Sequence, residues 1–126
     1  MRKILEIIIH CTATFADQRV TVADITRWHK QRGWKTIGYH YIVDQAGNVF
    51  EGRPIEQAGA HCLEHNKNSI GIAYCGGLGH DGRPADTRTP EQKEALLLFY
   101  LSPCPCPPGN RARARRRGPR ADLIAY

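Results

Sequence analysis

His10 closes a short apolar run, Ile4 to Ile9, and is followed at once by Cys11-Thr12-Ala13-Thr14. A strand buried on both sides holds its last side chain rigidly. An imidazole fixed there can hold a metal or move a proton. The same position also suits a partly buried histidine bonded to a backbone carbonyl, and spacing alone leaves both readings open. The other histidines are His29, His40, His61, His65 and His80; on spacing, His29, His65 and His80 receive no role. The five cysteines, at 11, 62, 75, 104 and 106, are odd in number and irregular in spacing, which argues against a disulfide framework. No Cys-x-x-Cys pair occurs, and Cys104-Pro105-Cys106 is too tight for the usual zinc-knuckle spacing.

Behind His10 the run is aliphatic and mostly β-branched, and it predicts a buried strand. Thr21 with Asp24 three residues on is a helix start, and Gly33 a stop. The spacing of Val22, Ile25, Trp28 and His29 predicts a helix over 22–32 with Trp28 toward the core. Gly38 to Asp44 is aromatic and β-branched. It predicts a strand, turned at 45–48 into a partner at Val49-Phe50-Glu51. Strict alternation sets Tyr39, Tyr41 and Val43 on one face and His40 and Ile42 on the other. Residues 55–68 read as a loop. Ser69 to Cys75 reads as a strand whose Gly71 marks the close approach of a neighbour. Thr89-Pro90-Glu91-Gln92 opens a second helix that Pro103 ends.

The chain of 126 residues suits one domain, at 41% hydrophobic and 24% charged residues. Its charge of +6 is uneven: residues 111–126 hold six arginines against Asp122, while the rest holds 12 basic and 11 acidic residues. The basic character therefore belongs to a tail. No stretch approaches the ~18 apolar residues of a membrane helix. Met1-Arg2-Lys3 before Ile4 resembles a signal peptide, but Glu6 interrupts the run, so no export signal is expected and synthesis is expected to be cytoplasmic. The expected division is a domain over 1–101 and a Pro-, Cys- and Arg-rich tail over 102–126 without regular structure. Its Arg, Pro, Ala, Cys and Gly content is that of GC-rich DNA read out of frame, and a frame shift near residues 97–103 is its expected origin.

The segments "IIIHCTAT", "ITRWHKQRGWKTIGYHYIVDQAGNVFEGRP", "GAHCLEHNKNSIGIAYCGG" and "TPEQKEALL" resemble, in order, the zinc-dependent N-acetylmuramoyl-L-alanine amidases. That family includes endolysins of the T7-lysozyme type and shares its fold with peptidoglycan recognition proteins. The resemblance covers about residues 1–98. It implies an α/β fold, a central mixed sheet flanked by helices, with a zinc groove at the sheet's edge. It implies hydrolysis of the amide between N-acetylmuramic acid and the L-alanine of the stem peptide, by water activated on Zn2+. By resemblance His10 is the first metal ligand. Tyr39 is the catalytic phenol beside the metal. His61 and Arg53 are substrate-binding; His40, set by alternation on the face away from Tyr39, is expected to be structural.

The resemblance further implies a monomer whose partner is peptidoglycan, with no specific nucleic acid, acting on the cell wall after release. The family's second histidine ligand, and its Lys-x-Cys-Pro segment carrying the third ligand and a lysine, follow the last helix. Here no histidine follows His80 and no lysine follows Lys93. Peptidoglycan binding without cleavage is the alternative. An anionic partner for the arginine-rich tail is a third reading, weaker than that of a solvated tail.

Overall fold

The computed structural model describes residues 3–101 and 113–116. Strand β1 (Glu6–Cys11) lies between two parallel partners, with His10 opposite Ala73 of β5 (Ser69–Tyr74). On the far side of β5 runs β3 (Tyr41–Val43), also parallel, and beyond it β4 (Val49–Glu51), antiparallel across the predicted turn. With β7 (Arg113–Arg116) the mixed sheet has the order β4-β3-β5-β1-β7. A second, two-stranded sheet pairs β2 (Thr14–Phe15) with β6 (Gly77–Leu78) beyond the ends of β1 and β5.

Helix α1 (Val22–Gln31) starts at a complete capping box. The Thr21 side chain accepts from the Asp24 amide, and the Asp24 carboxylate accepts from the Thr21 amide. Its buried residues are Ile25 and His29, while Trp28 is only partly buried at the border of the core. Helix α2 (Pro90–Leu101) repeats the device with Thr89 and Gln92. The Gln92 amide also donates to the carbonyls of Cys75 at 2.9 Å and Val43 at 3.4 Å, tying α2 to the ends of two strands.

The helices cover opposite faces of the sheet. Ile7, Ile9, Val43, Ile70, Ile72 and Tyr74 meet Ala95 and Leu96 of α2. Tyr39, Ile42, Ala73 and Cys75 meet Ile25 of α1. Every residue of β5 is buried, as expected of a parallel strand covered on both sides.

Two expectations need correction. Tyr39 does not share a face with Tyr41 and Val43; it packs with Ile42 on the α1 side. The amides of Gly52 and Arg53 bond in succession to the carbonyls of His40 and Tyr39, at 2.8 Å each. A regular antiparallel ladder alternates bonded and non-bonded pairs, so the chain is twisted out of alternation here. The second correction concerns the tail. Arg113–Arg116 form β7 instead of lacking structure, in parallel register with Glu6 to Ile9. The open edge of β1 offers unpaired backbone groups, and their pairing needs no particular side chains. The remainder of the expected tail lies outside the described residues. Among the described residues no helix is long and apolar enough to cross a membrane.

Candidate active site

His10 projects from β1 on the face that α1 covers, and it is almost fully buried. Its ring lies 5.5 Å from that of Tyr39 and 5.0 Å from that of His61, centroid to centroid. The site thus forms over the face of the sheet, between β1 and the Tyr39 segment with β5 beneath, and not at the sheet's edge. His10 Nε2 and His61 Nδ1 share a hydrogen bond of 2.9 Å, and His61 Nε2 meets the Ser69 hydroxyl at 3.2 Å.

The His61 ring occupies a slot made by absent side chains. A Cβ on Gly71 or on Gly59 would stand 2.5 Å from a ring carbon of His61. This is the close approach that a glycine inside β5 predicts. The loop carrying His61 is fixed by Asn66, whose side-chain oxygen accepts from the amides of His61 and Cys62, at 2.9 Å each.

His40 is held by backbone at both ring nitrogens. Its Nδ1 accepts from the Gly71 amide at 3.0 Å, so the proton sits on Nε2 and is donated to the Gln57 carbonyl at 2.7 Å. The expected structural role fits these bonds. Arg53 donates from Nε to the Ile37 carbonyl at 3.0 Å and from Nη1 to the Ala58 carbonyl at 2.7 Å. It therefore clamps the loop that leads to His61. His65 pairs with Glu6 at 3.2 Å, and His80 is exposed in its loop.

Spacing gave His29 no role, yet it is fully buried. Its Nδ1 accepts from the Gly38 amide at 2.7 Å. Burial, then the nearby Arg32 and Arg53 guanidiniums, push its pKa down from 6.5 to about 4. Between those values the unfolded chain takes up a proton that the folded chain refuses. The stabilisation is complete above pH 6.5 and is lost as pH falls toward 4, by about 3 kcal/mol in all. Denaturant titrations at pH 7.5 and 4.5 check this, and the acid loss is expected to shrink in His29→Asn.

The metal question has a definite answer for these residues. Catalytic zinc takes three protein ligands and an open position. Among the described residues no three His, Cys, Asp or Glu side chains converge. Without a metal, burial pushes the Cys11 thiol up, and burial with Asp44 pushes Cys75 up to about 12. The described residues do not complete a zinc centre.

A β1 histidine, a buried tyrosine and a Gly-x-His loop over a mixed sheet flanked by two helices define an amidase-type fold. The chain belongs to the N-acetylmuramoyl-L-alanine amidase family, whose signature matches residues 1–100. It is 40% identical over 96 residues to the endolysins of Klebsiella phage KP32 and of Escherichia phage T7. In each case 76% of this chain and 64% of the relative are covered. The chain thus spans less than two thirds of those relatives. Among solved structures it resembles the N-acetylmuramoyl-L-alanine amidase LysC from Clostridium intestinale, with TM-score 0.65, 28% identity, and 86% and 79% of the two chains covered. It also resembles peptidoglycan recognition protein LE in complex with tracheal cytotoxin, a monomeric diaminopimelic acid-type peptidoglycan. There the TM-score is 0.64, the identity 26%, and the coverage 80% and 60%. The family generally depends on zinc.

Proposed function

We propose that this protein acts on peptidoglycan as an N-acetylmuramoyl-L-alanine amidase, hydrolysing the bond between N-acetylmuramic acid and the stem peptide. The observation that carries the reading is the meeting of His10 and Tyr39, 29 residues apart in sequence, with ring centroids 5.5 Å apart in one buried site. In this reading the Tyr39 hydroxyl donates a hydrogen bond to the amide oxygen as negative charge develops there. A cavity of about 470 Å³ lies along the chain just beyond His10, lined by Thr12, Thr14, Phe15, Trp28, Arg32 and Leu78. Its mixed apolar and cationic lining suits a short peptide bearing a carboxylate. Arg53 Nη2, not used on Ile37 or Ala58, is available for a second carboxylate, and His61 borders the reacting group through His10. His10 offers one imidazole to a zinc ion, and further donors would come from outside the described residues.

Endolysin relatives support action at the cell wall after release from the cell. The test is metal content of the purified chain together with digestion of purified peptidoglycan. The appearance of free L-alanine amino groups is expected, and bound zinc would show that donors outside the described residues join His10. A second reading is favoured by the absence of three converging donors among the described residues. In that reading the groove holds a muropeptide without cleaving it, and the same experiment gives no zinc and no cleavage but retained binding. A chain that neither cuts nor binds peptidoglycan would refute both.

A further inference from the structure

His29 is wholly buried on the last turn of α1, and no step above uses it. A backbone N–H can only donate, so the 2.7 Å bond from Gly38 fixes the lone pair of His29 on Nδ1 and its proton on Nε2. The ring stands edge-on to Trp34, centroids 4.7 Å apart, and tilted against Tyr39 at 5.4 Å. Gly38 is also held from the other side. Its carbonyl accepts from the Ala60 amide at 3.1 Å, and a Cβ on Gly38 would collide with the Ala60 carbonyl. The peptide immediately before Tyr39 is thus pinned between α1 and the loop that carries His61.

We propose that His29 is a positioning residue: by accepting the Gly38 amide it anchors the Tyr39 segment to α1 and sets where the phenol stands beside His10. The proposal rests on the reading of Tyr39 as the group that meets the scissile amide. The charged groups facing His29 are Arg32 at the end of α1 and Arg53 after β4. Both disfavour an imidazolium, which keeps Nδ1 an acceptor at neutral pH.

Leucine and asparagine have nearly the same shape, and only asparagine can accept a hydrogen bond where Nδ1 lies. In the full chain, His29→Leu is expected to speed hydrogen exchange at the Gly38 amide by about tenfold or more relative to His29→Asn, as for loss of one buried bond. The Tyr39 ring resonances are expected to move in His29→Leu and to return toward the parent in His29→Asn, while the Ile72 and Ala73 amides stay protected in both. Unchanged Gly38 exchange and Tyr39 resonances in His29→Leu would overturn the proposal. So would an asparagine variant as perturbed as the leucine one, including the case in which leucine prevents folding. These readouts need no substrate. If they behave as expected while Tyr39→Phe still cleaves peptidoglycan, the reading of Tyr39 fails and the anchoring by His29 stands.

Discussion

Tyr39→Phe is expected to lower amide hydrolysis by about 10²- to 10⁴-fold, the range for loss of one positioned proton donor. The KM for a soluble muramyl peptide is expected to stay within about threefold, since an interaction made only in the transition state lowers kcat and leaves ground-state binding alone. The ring is fully buried between His10 and His29, so phenylalanine keeps the packing and removes only the hydroxyl. Thermal unfolding of parent and variant should therefore nearly coincide. A variant that hydrolyses at the parent's rate would remove Tyr39 from the chemistry. Equal binding by two inactive proteins would support the module without catalysis.

The largest expected loss of stability belongs to Gly38→Ala. The added methyl would fall on the Ala60 carbonyl and stand 3.1 Å from the Trp34 ring, with backbone on one side and a packed indole on the other. The Ala60 backbone cannot yield without disturbing its own bond to the Gly38 carbonyl, and Gly38 cannot yield without disturbing its bond to His29. A cost of about 3 kcal/mol is expected, the upper end for overpacking a close-packed site. Gly82→Ala provides the contrast: nothing lies within 4 Å, and the positive φ of 76° is the only obstacle. Its cost should be about 1 kcal/mol. Parallel denaturant unfolding of the two variants measures the difference, and equal midpoints would contradict the tight seat assigned to Gly38.

Local signals were legible where one stretch of chain decides its own structure. Thr21 with Asp24 and Thr89 with Gln92 mark the starts of α1 and α2, and both capping boxes form. The apolar run before His10 is β1, the turn at 45–48 joins β3 to β4, and Gly71 does mark a close approach. What could not be read there depends on partners distant in sequence. Alternation placed Tyr39 with Tyr41, because nothing local reports that Gly52 and Arg53 bond in succession to the preceding residues. His29 looked like one polar residue of an amphipathic helix, and only the Gly38 amide, nine positions on, explains its burial. The family resemblance makes His61 a groove residue, while its bond to His10 spans 51 positions. The common pocket of His10 and Tyr39 was legible through the family resemblance and not through strand periodicity.

The slot around His61 makes the placement of that ring depend on two positions that carry no side chain. A methyl group added at Gly59 or at Gly71 would stand 2.5 Å from a ring carbon and push the imidazole aside. The ring stands with Ser69 on one flank and His10 on the other. A side chain at either glycine would therefore be felt at His10, through the displaced ring and the bond the two imidazoles share.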